Sequence, residues 1–279
     1  MKKKKFSFVT VPMLLIFIVI AVLTLLPFVS ITLASLRPAK EIMSQGLGLH
    51  LNFSEMILDN YKYLFSGEHD YFLWFFNSLK LTVIQTVLVL LVSAFVAYGF
   101  AMYDFRGKNL LFTCVLLVMM VPLEIIILPL YKLAISLKLM DSIWGIILPT
   151  IAGPLPIFFF RQYLSGIPRD FLDAARVDGC SEYGIFFRII MPLMKPSFAA
   201  MGIFVGMNSW NSLLWPMIVL RSSEKLTLPI GLTSLINPYR NNYQLLIAGS
   251  VFSVIPILIL FLVFQKQFIA GMTAGGVKG

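Results

Sequence analysis

Long apolar runs, separated by short polar stretches, occupy most of the chain. A helix needs roughly 20 mostly apolar residues to cross a bilayer, and six segments meet that condition. They cover residues 11–33, 81–102, 110–131, 143–160, 198–220 and 243–264. Only the third segment contains a charged residue, Glu124. The pattern predicts an all-α integral membrane protein with six transmembrane helices.

The composition agrees with insertion into a membrane. The 279 residues are 59% hydrophobic and 13% charged, whereas soluble domains are about 45–50% apolar and about 25% charged. In a membrane protein, the net charge of +9 is informative about which side of the membrane the basic residues occupy. It does not indicate a nucleic-acid partner. Cytoplasmic loops are enriched in Lys and Arg. The loops predicted to lie on the same side of the membrane as the N-terminus carry these residues more densely than the loops on the other side. This bias predicts that both termini are cytoplasmic.

The first apolar segment follows a basic stretch, Lys2–Lys5, as the core of a secretory signal would. Its apolar run is longer than the roughly 7–15 residues of a cleavable signal. We therefore expect a cytoplasmic N-terminus over 1–10 and an uncleaved first transmembrane helix over 11–33. An extracytoplasmic loop then covers 34–80, where Ser54 is suited to cap a short amphipathic helix.

The remaining chain forms a helical core over 81–268 and a cytoplasmic tail over 269–279. Its fourth span contains Pro149, Pro154 and Pro156, each of which removes a backbone donor and disrupts a helix. Such backbone is tolerated at membrane depth beside a water-filled cavity or inside packed protein. The sequence leaves these two alternatives open.

A polar stretch, "DFLDAARVDGCSEYGIFFRIIMPLMKP", lies within the long cytoplasmic loop predicted over 165–197. Pro168 is suited to the first turn of a helix over about 169–178. Gly179 is suited to a left-handed stop, and Ser181 to the cap of a second helix. The loop is thus predicted to be a helix, a glycine turn and a second helix.

The first of these two helices carries apolar and charged faces. The apolar side consists of Phe171, Leu172, Ala174 and Ala175, and Asp173 is spaced to pair with Arg169 or Arg176. An amphipathic helix on lipid headgroups is one interpretation. The acidic residues disfavour it next to an anionic leaflet, and we expect the helix to dock in a groove of a protein partner.

The stretch "DAARVDG", followed by "IFFRIIMPLMKP", resembles the EAA motif of ABC importer permeases. The resemblance implies a coupling helix that sits in a cleft of a cytoplasmic ATPase subunit. Asp173 stands where the family usually has Glu, which shortens the carboxylate by one methylene. The implied coupling residues are Asp173, Ala174, Ala175, Arg176, Asp178 and Gly179.

The stretches "NSLKLTVIQTVLVLLVSAFVAYGFAMYDFRGKN", "WNSLLWPMIV" and "FIAGMTAGGVKG" are similar to the carbohydrate-uptake, MalG-type branch of that family. The resemblance implies the type I permease fold in a bacterial cell membrane, with 81–268 as the permease core. It further implies a heterodimer with a second permease, two ATPase subunits and an extracytoplasmic solute-binding protein. The implied tail contacts with the ATPase are Gly275, Gly276, Val277 and Lys278.

The sequence contains no G-x-x-x-x-G-K-[ST] nucleotide-binding pattern. We therefore expect ATP and Mg²⁺ to bind on the partner ATPase, with no cofactor and no catalytic residue on this chain. The two histidines, His50 and His69, and the two cysteines, Cys114 and Cys180, have no metal-ligand spacing. No metal site is predicted.

Polar residues inside the spans are candidates for a translocation path. Glu124 is expected to face the bundle interior or a cavity, because an acid in lipid is costly; the alternative is a protonated or paired structural acid. Asn208, Trp210 and Asn211 of the fifth span could line a sugar path or bond to neighbouring helices. Trp210 or Trp215 could stack on a pyranose ring.

The function that the resemblance implies is ATP-driven uptake of a sugar or oligosaccharide by alternating access. The same machine carrying glycerol-3-phosphate or another polar solute is the alternative. An autonomous secondary transporter would need internal repeats, and no matching halves are found. A membrane enzyme would need clustered acids, His or Cys, which the sequence lacks.

Overall fold

The computed structural model describes residues 10–38, 56–67, 69–236 and 242–274. Within these ranges the chain consists of helices joined by short turns. The α-helices are α1 Thr10–Ser35, α2 Asp59–Phe65, α3 Tyr71–Met102, α4 Lys108–Val118, α5 Leu123–Ser136, α6 Ile143–Ile147, α7 Pro154–Leu164, α8 Asp170–Val177, α9 Glu182–Ile185, α10 Lys195–Trp210, α11 Leu214–Val219, α12 Leu228–Ser234 and α13 Tyr243–Ala274.

Three of these helices, α1, α3 and α13, are long and apolar enough to cross a membrane alone. Three further spans are pairs of shorter helices that meet at a bend. The bend angles are 103° between α4 and α5 and 45° between α6 and α7. The third is 78°, between α10 and Glu182–Leu193, which begins with α9 and which we call the α9 segment. If each pair counts as one broken span, the described residues contain the six spans that the sequence predicts.

Two span boundaries differ from those predicted. The second span begins at Tyr71 and not at 81, because the aromatic stretch before Lys80 continues the helix and shortens the loop predicted over 34–80. The fifth span, predicted over 198–220, is interrupted after Trp210. Asn211 and Ser212 follow at the break, and both residue types compete with helical hydrogen bonds through their side chains.

Local chemistry explains the other breaks. In the fourth span, a 3-10 turn at Leu148–Thr150 ends before Gly153, and Pro154 opens α7. The α9 segment widens into a π-helical turn, Phe186–Ile190, before Met191–Leu193. Pro192 lacks an N–H to offer the preceding turn, which accounts for this widening.

The chain divides into two compact units. The first contains Met1–Phe72 and Leu232–Ile255. There the Tyr71 hydroxyl donates to the carbonyl of Gly249 at 2.7 Å, and Asn60 donates to the carbonyl of Ser35 at 2.8 Å. Ser54, the predicted helix cap, lies outside the described residues, and α2 begins at Asp59.

The second unit contains Leu73–Gly231 and Pro256–Gly279. It has two main apolar clusters of buried residues. One joins α3 and α7 to the α8–α9 loop through Tyr98, Phe160, Leu172 and Phe186. The other joins α3, α5, α6 and α11 through Leu81, Ala134, Ile147 and Val219.

Candidate functional site: a helix–glycine–helix loop and a polar recess

The polar loop folds as a capped helix, a left-handed turn and a second capped helix. Gly179 has φ +76°, its N–H donates to the carbonyl of Arg176 at 3.0 Å, and the N–H of Cys180 donates to Ala175 at 2.9 Å. These two bonds form a Schellman motif at the end of α8. The Ser181 hydroxyl accepts from the N–H of Gly184 at 3.2 Å, which confirms the predicted second cap.

One face of α8 is buried inside the chain itself. Leu172 and Ala175 are 1% and 4% exposed and pack with Ile185 and Phe186. The structure therefore corrects the expectation that Ala175 contacts a partner, because its methyl group already faces this apolar cluster. Its neighbour Ala174 is exposed.

The opposite side of the loop forms an exposed surface, which we call the coupling face. It includes an aliphatic and an aromatic side chain that are strongly exposed, Val177 at 89% and Tyr183 at 75%. Large exposed apolar side chains beside carboxylates are typical of a protein-binding surface. The coupling face consists of Asp173, Ala174, Val177, Asp178, Gly179 and Tyr183.

The two arginines of α8 have partners within the chain. Arg169, expected to pair with Asp173, lies just before α8 and instead binds Asp104 Oδ2 through Nη1 at 2.9 Å. Arg176 binds Asp173 at 3.2 Å and Glu182 at 2.8 Å. Arg176, predicted as a contact for the ATPase, is therefore engaged in joining α8 to α9.

A recess of about 540 Å³ lies beside the break in the fourth span. Thr150, Gly153, Pro154 and Pro156 form one wall, and Asn208 belongs to the opposite wall. Of the two alternatives for the proline-rich segment, the structure thus shows a backbone break that borders a cavity.

Gln85 connects the walls of this recess. Its Nε2 donates to the Thr150 hydroxyl at 2.8 Å, and its Oε1 accepts from the Ser209 hydroxyl at 2.7 Å. Gln85 was not among the predicted path residues. The available signal was a lone amide inside the apolar run "LTVIQTVLVL", since such residues bond between helices in membranes.

Glu124 lies in a second recess of about 490 Å³, which Asn208 and Asn211 also line. Phe204, Asn208 and Ser212 border both recesses. The bend after α4 places Glu124 in the first turn of α5, where the helix dipole favours a carboxylate. Three of the four predicted path residues are thereby brought together.

The two amides beside Glu124 bond to their own helix. Asn208 Nδ2 donates to the carbonyl of Phe204 at 2.8 Å, and Asn211 Nδ2 donates to Met207 at 3.0 Å. Both side chains are exposed. They therefore belong to the recess wall and do not form the bonds to neighbouring helices that were the alternative.

A family profile described as "Binding-protein-dependent transport system inner membrane component" matches residues 89–273. The chain belongs to this family. The match covers the helix–glycine–helix loop and every residue that lines the two recesses except Gln85. Membership makes the chain an inner-membrane permease component that works with a binding protein and, in an ABC importer, with an ATPase.

Relatives cover nearly the whole permease. The arabinooligosaccharides transport system permease protein AraQ of Bacillus subtilis is 54% identical over 99% of this chain and 98% of its own. The lactose transport system permease protein LacG of Rhizobium radiobacter is 34% identical, covering 92% of each chain.

A solved structure shows the same fold. It is the crystal structure of a bacterial ABC transporter involved in the import of the acidic polysaccharide alginate. It matches with a TM-score of 0.81 and 22% identity over 95% of the permease and 100% of its own chain. The type I ABC importer fold is thereby confirmed.

Trp210 of the permease does not line either recess. It is 5% exposed and packs edge-on against Phe75, with ring centroids 5.4 Å apart. Trp215 is 3% exposed, and its Nε1 donates to the carbonyl of Gly145 at 3.1 Å. Of the two alternatives for Trp210, lining the path or contacting a neighbouring helix, the structure shows the second, because its indole fills the packed interior.

The predicted tail contacts of the permease, Gly275, Gly276, Val277 and Lys278, lie outside the described residues. Among the residues that are described, no group of three or more His, Cys, Asp and Glu side chains is placed to hold a metal ion.

Asp141 joins the turn between α5 and α6 to the segment that follows α11. We call the bonds that Asp141 forms there the clasp. Asp141 has φ +56°, and its Oδ1 accepts from the backbone N–H groups of Arg221 and Ser222, each at 3.0 Å. Its Oδ2 binds the Ser222 hydroxyl at 2.6 Å and Lys225 Nζ at 2.8 Å. The bond from Lys225, followed by those from Ser222, holds the pKa of the Asp141 carboxyl well below its usual range.

We expect Asp141→Ala to lower the melting temperature of the detergent-solubilised permease, and Asp141→Asn to lower it less. Asparagine tolerates the left-handed backbone but loses the charge. Because the pKa of Asp141 is lower in the folded chain than in the unfolded chain, the clasp stabilises the folded state at neutral pH. That contribution is lost as the pH falls below about 4. Tryptophan fluorescence during heating measures this; equal melting temperatures for all three proteins would contradict it.

Proposed function

We propose that the chain is the membrane-spanning subunit of an ATP-driven importer that takes up a sugar or oligosaccharide. A single observation carries the transport role: the exposed coupling face lies on a loop that packs on α3, and α3 also lines the recess through Gln85. The coupling face is suited to an ATPase, and the recess to a polar solute.

The proposed mechanism is alternating access. Two ATPase subunits hydrolyse ATP with Mg²⁺, and this chain itself is non-catalytic and binds no cofactor. Closure of the ATPase dimer moves α8, and the broken spans around the recess change their angles. A second permease completes the path as a heterodimer, both termini are cytoplasmic, and the tail from Gly275 to Lys278 contacts the ATPase.

The chemistry of the recess walls supports a neutral saccharide. The residues that line the two recesses include Glu124, Gln85, Asn208, Asn211, Ser209 and Ser212. Among all the described residues that line either recess, there is no Lys or Arg. Hydroxyl groups of a sugar bond well to carboxylate and amide groups. A phosphate ester would instead call for basic side chains, so glycerol-3-phosphate is not favoured. The names of the relatives AraQ and LacG point to the same class of solute.

The test is uptake into proteoliposomes that contain the permease, its partner permease and the ATPase, with binding protein outside and ATP inside. We expect ATP-dependent uptake of a labelled arabino-oligosaccharide or another neutral oligosaccharide, and none of glycerol-3-phosphate. The matched control omits the ATPase. Uptake by the isolated chain, driven by an ion gradient, would contradict the proposal.

A further inference from the structure

The turn between α3 and α4 is attached to the N-terminal end of α8. Asp104, just after α3, binds Arg169 Nη1 through Oδ2 at 2.9 Å and Lys108 Nζ through Oδ1 at 3.0 Å. Lys108 Nζ also donates to the carbonyl of Tyr103 at 2.8 Å. The hydrogen bond from Arg169, followed by that from Lys108, lowers the pKa of Asp104 to about 2. The pair is therefore charged at every pH at which a cell lives.

The same turn is attached to the other end of α8 through a second cluster. The Tyr103 hydroxyl donates to Glu182 Oε2, and Glu182 accepts from Arg176 Nε at 2.8 Å. The guanidinium carbon of Arg176 lies 5.9 Å from the centroid of the Tyr103 ring, within the range of a cation–π contact. Both ends of the coupling helix are thus tied to one turn, although 65 residues separate Asp104 from Arg169.

Apolar packing fills the space between the two ties. Ala94, Tyr98 and Met102 of α3 share one buried cluster with Leu172 and Ala175 of α8. The last turns of α3 and the apolar face of α8 therefore border the same buried cluster, and Phe186 of the α8–α9 loop stacks on Phe95 of α3 with ring centroids 4.2 Å apart.

Helix α3 differs from the other spans that border the recess. It runs without a break from Tyr71 to Met102, whereas the α4–α5, α6–α7 and α9–α10 pairs are bent by 103°, 45° and 78°. An unbroken hydrogen-bonded helix transmits displacement along its axis, while a bent pair can change its angle instead. Gln85 lies on α3 about 25 Å from Met102 at 1.5 Å per residue.

We propose that α3 carries the movement of the coupling helix to the recess, and that the turn after α3 moves with α8 as one body. Asp104, Arg169, Tyr103, Arg176 and Glu182 are then positioning residues that hold this turn to both ends of α8. The proposal rests on the proposed transport function. The movement then reaches Gln85 along α3, to which α8 is tied by Arg169 and by way of Glu182 at the start of α9, and not along α10 beyond the bend.

Charge reversal tests the N-terminal tie. In the reconstituted importer, Asp104→Arg and Arg169→Asp should each lower the number of solutes imported per ATP hydrolysed by about three- to ten-fold, in the range seen for changes within coupling networks. The double variant restores an opposite-charge pair and should recover most of the loss. Permease content and ATPase assembly are measured for each variant. Unchanged transport in both single variants would overturn the proposal.

The matched control is the exposed pair of Asp59 and Lys62 on α2, whose side chains lie 2.9 Å apart. Asp59→Lys and Lys62→Asp reverse the same kind of surface pair far along the sequence from α8. They should leave the coupling ratio unchanged. A loss as large as that of Asp104→Arg would show a general effect of surface charge and would also overturn the proposal.

Cross-linking tests whether the turn after α3 and α8 move together, or whether the tie between them only stabilises the fold. In a chain with Cys114→Ser and Cys180→Ser, we introduce Asp104→Cys and Arg169→Cys, which removes the tie, and then add a short bismaleimide. If the turn and α8 move together, the cross-link should raise the coupling ratio back toward that of the parent chain. If they move apart during the cycle, cross-linking should abolish uptake, which would refute the proposal.

The two proposals fail in different ways. Absence of ATP-dependent uptake in the unmodified importer contradicts the transport function itself. Normal uptake in the unmodified importer, together with inhibition by the cross-link, contradicts only the role of α3.

Discussion

Gly179→Asp should lower solute uptake by the assembled importer by about ten-fold, within the range of measured coupling free energies between sites. Gly179 ends α8 with φ +76°, a backbone conformation that costs most L-residues about 1–2 kcal/mol. An added Cβ meets no heavy atom within 4 Å, so the side chain causes no clash inside the chain. The new carboxylate instead stands beside Asp178 on the coupling face, where an ATPase would have to desolvate both charges.

The matched control is Gly179→Asn, because the asparagine side chain has nearly the same shape as that of aspartate. It also tolerates the left-handed conformation and carries no charge. It should keep most of the uptake. Membrane insertion and the amount of permease should be normal for both variants, since the apolar spans are unchanged. Uptake is measured in proteoliposomes and normalised to permease content. Normal uptake by Gly179→Asp would remove this turn from the coupling mechanism.

The second large effect is expected at Glu124. Glu124→Leu should lower uptake by about ten-fold or more, because a hydrogen bond to a charged group contributes about 1.5–3 kcal/mol. The carboxylate is exposed in the recess, and within the described residues it forms no ion pair with another side chain. Its removal should therefore leave folding and assembly intact.

Glu124→Gln separates the charge from the hydrogen-bonding capacity. The amide retains an acceptor oxygen, so this variant should lose less uptake than Glu124→Leu. Initial rates over a range of solute concentrations show the effect, and co-purification of the ATPase confirms assembly. Uptake by Glu124→Leu equal to that of the unmodified importer would show that the recess is not part of the path.

The local features of the coupling loop were predictable from the sequence. The end of α8 at Gly179 and the cap at Ser181 depend on residues within a few positions of one another, and the structure has both. The number of spans was predictable for a similar reason, since span length follows from the apolar runs. The bends were only partly predictable: prolines marked the fourth span, whereas the break after Trp210 was marked only by the weaker signal of Asn211 and Ser212.

Contacts between distant residues were not predictable in this way. Spacing along one helix suggested that Asp173 pairs with Arg169 or Arg176, and Arg176 is its partner. Arg169 instead binds Asp104, because packing of the α8–α9 loop on α3 brings these two side chains together. Trp210 looked suited to a sugar path by its residue type, but its burial against Phe75 depends on how two spans meet. Gln85 could be noticed in the sequence as a lone amide in an apolar run, but its two partners, Thr150 and Ser209, are known only from the structure.

The sequence by itself determined that this protein inserts in the membrane with six spans and carries a capped helix–glycine–helix loop. Those properties follow from the length of apolar runs and from hydrogen bonds within a few residues. Only the tertiary structure decided which face of α8 is free, which residues border the recess, and which turn is tied to the coupling helix. Those properties depend on packing, because a side chain far away in the sequence competes with near ones for the same charge or the same buried space.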